Sequence, residues 1–224
     1  MQEHRPVGQK AGLSGETVLA AARSIADREG VEALTMRRLA DALSVMPNSL
    51  YSYYPTKDAL LDALLDSLLG EIETAGLDVM GWREALVRIM DDSRRLLLSH
   101  PKLVDVFLTR PSVGPNAAHL GEVTFRTLRR AGLEGEEAVG AFRILLIFSL
   151  GYAAFQAPRL GDDERSKRGE STFRSLPGES FPEVTNIATP LARPPDDETF
   201  IAGIGWLIDG IARTSSSGQS EKDE

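Results

Sequence analysis

The chain has 224 residues and a mass of 24.4 kDa, which is enough for one large domain or for a small domain joined to a larger one. Hydrophobic residues make up 42% of the sequence and charged residues 26%, a balance that excludes a disordered or collagen-like chain. Cysteine is absent, so disulfides, thiolate metal sites and cysteine nucleophiles are excluded.

Two features of the sequence bear on the compartment. Residues 1–10 contain no apolar run, so a secretory leader is not expected. The longest nearly apolar stretch, residues 144–155, is shorter than the roughly 20 helical residues that cross a bilayer. These features predict a soluble cytoplasmic protein with no membrane partner.

The net charge of −8 is unevenly distributed along the chain. Residues 1–57 carry 7 basic and 6 acidic side chains, whereas residues 58–224 carry 18 basic and 27 acidic ones. Because affinity for phosphates comes mainly from Lys and Arg, the overall acidity argues against a chain that coats nucleic acid. The near-neutral N-terminal part is the only part suited to approach DNA.

Three short helices are predicted near the N-terminus. Ser14 is a suitable cap for the first helix, and Gly30 ends it. Thr35 caps the second helix. The third begins at Pro47, a residue suited to the first helical position, and runs to about Tyr54. Their shortness and close spacing predict a small helical domain.

Apolar residues recur at helical spacing through most of the remaining chain, and no segment alternates as a strand would. This pattern predicts an all-α fold with further helices at residues 56–70, 82–100, 102–108, 117–130, 136–156 and 196–213. Repeated prolines and glycines before the last helix predict a loop. The predicted organisation is a flexible tail at 1–11, a helix-turn-helix domain at 12–58, a larger helical domain at 59–213 with a loop or partly disordered segment at 158–195, and a disordered tail at 214–224.

The sequence offers little catalytic chemistry. Its histidines, His4, His100 and His119, are not paired at a metal-binding spacing. It contains no serine-hydrolase, phosphate-loop or complete dinucleotide-binding motif. The acidic doublets at 91–92, 162–163 and 196–197 are placed as solvated helix residues. We therefore predict no enzymatic activity, no cofactor and no metal.

Residues 35–57 follow the pattern of a helix-turn-helix motif, in which the second helix enters the major groove and the first braces it. The apolar positions that fit a small core are Leu39, Leu43, Val45, Leu50 and Tyr54. This leaves Asn48, Ser49, Tyr51 and Tyr53 facing outward. Asn and Ser can bind base edges, Tyr can contact phosphate or a thymine methyl, and Lys57 can bind phosphate. Taken together, these residues predict DNA binding, whereas each alone is better explained as part of an ordinary helix surface.

The same residues carry a resemblance to a known family. The segments 34–40 (LTMRRLA) and 50–61 (LYSYYPTKDALL) resemble the N-terminal domain of the TetR family of transcriptional repressors, over about residues 12–65. The resemblance implies a larger C-terminal domain for ligand binding and dimerisation. The predicted DNA-binding residues are Thr35, Met36, Arg37, Pro47, Asn48, Ser49, Tyr51, Tyr53 and Lys57. Ser44 stands where the family usually has a turn glycine, and Met46 where it has a Ser or Thr cap.

The C-terminal part is similar to that of the family's tetracycline-binding members, through the segments TRP at 109–111, AGL at 131–133 and FSLGY at 148–152. Those members hold a drug-bound magnesium ion with the help of a His and a Glu. Val106 and Phe155 stand at the corresponding positions here. Because carbon replaces both donors, the resemblance implies a related fold without a metal-chelated tetracycline.

A regulator must respond to a signal, so a pocket for a small-molecule effector is predicted in the C-terminal domain. Its candidate residues are Met90, Leu97, Phe107, Phe125, Phe148 and Phe155, with His100, Arg110, Asn116, His119 and Gln156 as polar anchors. Ordinary core packing is the alternative for each aromatic residue. We expect an apolar or weakly polar effector to shift the helix at 56–70, and so to change the separation of two recognition helices.

The helices at 136–156 and 196–213 are apolar enough to pack against their own copies. Small residues that would allow close approach, or pack internally, are Gly140, Ser149, Gly151, Ala153 and Ala154. The resemblance favours a homodimer on double-stranded operator DNA, with half-sites about 34 to 36 Å apart. The alternatives are a helical enzyme, or a small-molecule-binding or protein-interaction module without specific DNA binding.

Overall fold

The structure, a computed structural model, describes residues 13–220 and the side chains of residues 13–213. All regular secondary structure in this range is helical, which confirms the predicted all-α fold. The predicted tail at 1–11 lies outside the described residues.

The N-terminal domain contains α1 (Gly15–Glu29), α2 (Met36–Leu43) and α3 (Asn48–Tyr51). The predicted caps are present: the Ser14 hydroxyl accepts a hydrogen bond from the Thr17 amide at 3.1 Å, and the Thr35 hydroxyl accepts one from the Arg38 amide at 3.0 Å. Gly30 ends α1 with a positive φ of 91°, a conformation that glycine adopts at little cost.

Helix α3 is shorter than the predicted span to Tyr54. The amides of Tyr53 and Tyr54 both donate to the carbonyl of Leu50, at 3.0 and 2.9 Å, which closes a tight turn after Tyr51. The following Pro55 disfavours helical backbone at Tyr54. The chain therefore leaves α3 after little more than one turn.

Helix α4 (Lys57–Leu69) joins the two parts of the molecule. The C-terminal part then continues through α5 (Trp82–Ser99), α6 (Val104–Thr109), α7 (Pro115–Arg130), α8 (Gly135–Gln156), α9 (Asp163–Arg174), α10 (Pro182–Asn186), α11 (Ala188–Ala192) and α12 (Asp197–Ser220). Two hydrophobic cores result. One joins α1 to α4 with the end of α5 and with α6, and the other joins α5, α7, α8 and α12.

The expected loop at 158–195 is corrected by the structure, which contains α9, α10 and α11 there. Pro182 does not prevent α10, because it stands at the start of that helix, where its missing amide costs nothing. Asp162 caps α9 by accepting a hydrogen bond from the Arg165 amide at 2.8 Å. The Glu170 carboxylate then ties α9 to α11 by accepting from the Thr189 hydroxyl at 2.7 Å.

The expected disorder from residue 214 is also corrected in part, because α12 continues to Ser220. Adding residues to an established helix is far easier than starting one, so a polar, Ser-rich end can remain helical. Residues 221–224 lie outside the described part of the chain.

One described segment, Gly135–Arg159, has the length and composition of a helix that could cross a membrane, with a mean hydropathy of 1.8. This segment is longer than the apolar stretch recognised in the sequence because it includes a few charged residues. In this fold, α8 packs against α5, α7 and α12. A helix in the core of a globular protein has the same apolar composition as a membrane-spanning helix, so this composition does not by itself indicate a membrane span.

Candidate nucleic-acid interface and ligand cavity

The turn between α2 and α3 is built without the glycine and the cap usual at these positions. Ser44 adopts the left-handed conformation, with φ of 53° and ψ of 45°, which costs a non-glycine residue about 1 to 2 kcal/mol. Helix α3 has no side-chain cap, and Met46 before it is 73% exposed. The two-helix geometry therefore forms despite both departures.

Four of the predicted DNA-binding residues are exposed at this end of the molecule, and one of them, Thr35, is the cap of α2. Arg37 lies on α2, and Asn48 and Tyr51 lie on α3. Tyr51 is 46% exposed. A guanidinium, an amide and a phenol on adjoining helices can bind phosphates and base edges together.

Several predicted residues at this end are held by the protein itself. Thr35 caps α2, and Met36 packs against the N-terminal core. Tyr53 was expected to face outward, but it is half-buried and donates its hydroxyl to the carbonyl of Leu13 at 2.8 Å. The Lys57 ammonium donates to the carbonyl of Val31 at 3.2 Å.

Pro47 and Ser49 are intermediate between the exposed residues and those bound within the protein. Both are half-buried, and Pro47 directly precedes the first turn of α3. The carbonyl of Ser49 accepts a hydrogen bond from the Ser52 hydroxyl at 2.9 Å. These two residues shape the helix that presents Asn48 and Tyr51.

A cavity of about 320 Å³ lies in the C-terminal part, between α5, α7, α8 and the segment from α6 to α7. Four predicted effector residues line it: Met90, Leu97, Phe107 and Arg110. Its size falls in the range of small-molecule sites. The cavity is therefore the candidate ligand site.

Sequence reasoning missed most of the lining. The structure adds Ala117, Leu120, Gly121 and Thr124 from α7 and Phe142, Leu146 and Leu150 from α8. Each set repeats at three- or four-residue spacing, and so shares one helix face. The spacing could have indicated two facing stripes, but α8 is apolar on nearly all sides, so the sequence did not distinguish its cavity face from its other faces.

Four predicted anchors are occupied elsewhere. His100 is buried between the domains, with Nδ1 2.8 Å from the Asp27 carboxylate and Nε2 2.9 Å from the Arg23 guanidinium. Gln156 accepts from the buried Arg94 at 2.7 Å. Asn116 bonds to Asp66, and His119 lies 3.0 Å from the Thr74 hydroxyl. The expectation that these side chains share one pocket is corrected, because each has a structural partner outside the cavity.

Three predicted aromatic residues also lie away from the cavity. Phe125 packs behind its wall, with its ring centroid 5.1 Å from that of Phe142. Phe148 stacks on Phe200 at 5.5 Å and joins α8 to α12. Phe155 is 55% exposed, on the outside of α8. Packing between helices accounts for the first two, as the alternative interpretation expected.

Helix α4 is bound to the cavity wall through three aspartates spaced four residues apart. Arg110, which lines the cavity, donates to Asp58 and to Asp62, each at 2.9 Å. Asp66 is 7% exposed and accepts from the Ala117 amide at 2.9 Å and from the Asn116 amide nitrogens. Hydrogen bonds to Asp62 and Asp58 raise the pKa of Arg110, so its charge is maintained.

The described residues contain no group of three or more His, Cys, Asp or Glu side chains that could hold a metal ion. Val106 is buried in the N-terminal core, and Phe155 lies outside the cavity. Both are carbon side chains at the positions where the resemblance would place metal donors.

A helix-turn-helix end joined to a helical body with an internal cavity is the architecture of a DNA-binding transcriptional regulator. Comparison with protein families agrees with this class. Residues 18–64 match the family of bacterial regulatory proteins named tetR, and residues 76–215 match the tetracyclin repressor-like C-terminal domain. The chain belongs to the TetR family of transcriptional regulators, whose members are regulators and not enzymes.

Individual relatives cover most of the chain. The transcriptional repressor DrrR1 of Streptomyces coeruleorubidus is 31% identical over 91% of this chain and 79% of its own length. The class A tetracycline repressor of Escherichia coli is 30% identical over 90% of this chain and 91% of its own. The structure of ActR from Streptomyces coelicolor in complex with actinorhodin superposes with a TM-score of 0.83, at 30% identity over 92% of this chain and 99% of that one.

Proposed function

We propose that this chain is a repressor that binds a palindromic operator as a homodimer and is released when a small molecule enters the cavity. One observation carries the proposal: α4 packs on α1 of the DNA-binding domain and is hydrogen-bonded to the segment 110–117, part of which lines the cavity. A ligand that moves this segment also moves α4. Because the partner is DNA, we infer that the chain acts in the cytoplasm.

A homodimer is supported by apolar surface on the two helices that the sequence indicated. On α8, Ile144, Ile147 and Phe155 are 50%, 68% and 55% exposed, and with Gly151 they recur every three or four residues along one face. On α12, Trp206 is 74% exposed. Burying such a face against a second copy removes apolar area from water.

Ligand binding is supported by the relative ActR, which was solved in complex with actinorhodin. The cavity here has walls of mostly apolar side chains from α5, α7 and α8. We infer that an apolar small molecule occupies it. A coupling free energy of about 1 to 3 kcal/mol between ligand and operator would change operator affinity by about 5- to 150-fold.

The DNA-binding part of the proposal is tested by selecting bound fragments from a random DNA library at moderate salt. We expect enrichment of a palindrome whose half-sites are about one helical turn apart. Recovery of random sequence at every round would contradict specific DNA binding and favour a ligand-binding module instead.

The ligand part is tested by filling the cavity at Gly121, which lies on its wall. A Cβ built at this position would meet no atom within 4 Å, so Gly121→Leu has room to project, and it also favours the helix. We expect this variant to bind the selected palindrome normally but to lose its response to ligand. Gly121→Ala, which adds little volume, is the matched control and should remain responsive.

A further inference from the structure

The cavity has very few polar groups available to a ligand. The Ser93 and Thr124 hydroxyls both donate within their own helices, to the carbonyls of Ile89 and Leu120, each at 2.7 Å. Ser112 is exposed at the rim. A ligand with several hydroxyl or amide groups would leave them unpaired inside, which costs free energy. The body of the ligand must therefore be apolar.

Arg110 is the one charged residue among the described side chains that line this cavity. Its Nε and Nη2 atoms donate to Asp62 at 3.2 and 2.9 Å, and its Nη1 atom donates to Asp58 at 2.9 Å. A guanidinium has five N–H donors in a planar fork and binds carboxylates strongly. Arg110 thus both lines the cavity and binds α4.

The two aspartates hold Arg110 only weakly. Their side chains are 74% exposed at Asp58 and 35% exposed at Asp62, and ion pairs in contact with water contribute little to stability. A carboxylate brought in by an apolar ligand would be partly shielded from water inside the cavity, where the same interaction is stronger. Such a ligand can therefore compete for the guanidinium.

We propose that the effector is an apolar acid, a largely hydrophobic molecule with one anionic group, and that its anion takes Arg110 from Asp58 and Asp62. This inference rests on the proposed function and specifies the ligand class and the releasing step. When the ligand anion binds Arg110, Asp58 and Asp62 lose their hydrogen bonds to it. The first half of α4 is then no longer hydrogen-bonded to the cavity wall. That half begins six residues after α3 ends, so its release is transmitted to the DNA-reading helix.

Two fluorescent probes with the same ring system separate the anion from the apolar body. They are 1-anilinonaphthalene-8-sulfonate, which is an anion, and N-phenyl-1-naphthylamine, which lacks the sulfonate. We expect Arg110→Gln to weaken sulfonate binding by about tenfold, as loss of a charge-assisted hydrogen bond should, and to leave binding of the neutral amine unchanged. Arg129→Gln, at an exposed arginine on α7, is the matched control.

A substitution at Asp62 should strengthen sulfonate binding, which is the opposite of the effect expected at Arg110. Misfolding of the variant would not strengthen binding. Because Asp62 competes with the ligand anion and repels it, Asp62→Asn should tighten sulfonate binding by about threefold or more without affecting the neutral amine. Asp163→Asn, at an exposed aspartate on α9, should change neither. Equal effects on both probes, or unchanged sulfonate binding in both Arg110→Gln and Asp62→Asn, would overturn the proposed ligand class.

The releasing step has its own readout. If Arg110 holds α4 in the DNA-binding position, Arg110→Gln should lower affinity for the selected palindrome about fivefold or more without any ligand, whereas Arg129→Gln should not. Unchanged affinity in Arg110→Gln would overturn this step. The probe titrations need no DNA, so their outcome is independent of whether a palindrome is selected at all.

Discussion

Asn48 is the exposed residue on α3 most directly suited to base recognition, because an amide can pair with a base edge through both its donor and its acceptor. Its neighbours Tyr53 and Lys57 are bound to backbone carbonyls of the N-terminal domain. We therefore assign sequence recognition chiefly to Asn48, with Arg37 and Tyr51 positioning the helix on the phosphates.

The first prediction concerns this assignment. Asn48→Ala should relax the base preference at one position of each half-site, with a loss of discrimination of about 1 to 3 kcal/mol. Affinities for the selected palindrome and for its single-base variants measure the effect. Asn186→Ala, at an exposed asparagine on α10, should keep the full preference, and equal preference in both variants would argue against direct readout by Asn48.

At the residue scale, local interactions were predictable and long-range ones were not. Ser14 and Thr35 cap helices through bonds to residues three positions away, which sequence spacing reveals. Tyr53 and His100 bond to residues 40 and 73 positions away. No local pattern indicates such partners, so these residues were assigned to the DNA surface and to the pocket.

Among the helices, α4 has the central role because one face of it carries Asp58, Asp62 and Asp66. Asp66 is buried at the start of α7, where a carboxylate also favours the helix dipole. Gly114 makes this contact possible, since a Cβ at that position would lie 2.3 Å from the Asp66 carboxylate. The junction between α4 and α7 thus depends on Gly114, which lies between the helices predicted at 102–108 and 117–130.

A second prediction follows for this junction. Gly114→Ala should displace the Asp66 carboxylate from its donors and lower the free energy of unfolding by about 1 to 3 kcal/mol, as measured by urea denaturation. Gly178→Ala is the matched control, because a Cβ there meets nothing within 4 Å. Equal free energies of unfolding for the two variants would contradict the close contact between Gly114 and Asp66.

Helix prediction was accurate where apolar residues repeat and failed where packing decides. The predicted helix at 56–70 exceeds α4 by one residue at each end, and the one at 82–100 exceeds α5 by one residue at its C-terminal end. The helices α9 to α11 were missed because polar and proline-rich sequence gives no periodic signal. Contacts between α9 and α11, such as the one from Glu170 to Thr189, stabilise them instead.

At the scale of the whole molecule, charge and apolar surface are separated. The acidic excess lies after residue 57, away from the helices that carry Arg37 and Asn48. Repulsion between DNA and this acidic body would favour contact of the duplex with the N-terminal end. The exposed apolar strip on α8 is the surface that we propose pairs with a second chain.

The third prediction tests that pairing. Ile147→Glu would bury an unpaired charge in the proposed interface, which costs several kcal/mol, so the dimer should weaken at least about 100-fold. Sedimentation should then report the 24.4 kDa chain in place of twice that mass. Val79→Glu introduces the same charge at an 85% exposed valine between α4 and α5 and should remain dimeric. A wild-type monomer, or an unaffected Ile147→Glu dimer, would contradict the interface.

The most direct measurement of the central claim is the affinity of the wild-type and Gly121→Leu chains for the selected palindrome, with and without saturating 1-anilinonaphthalene-8-sulfonate. If occupancy of the cavity controls DNA binding, the probe should weaken wild-type binding by about 5- to 150-fold and leave the Gly121→Leu chain at full affinity. Equal weakening of both chains, or weakening of neither, would contradict the coupling between cavity and DNA.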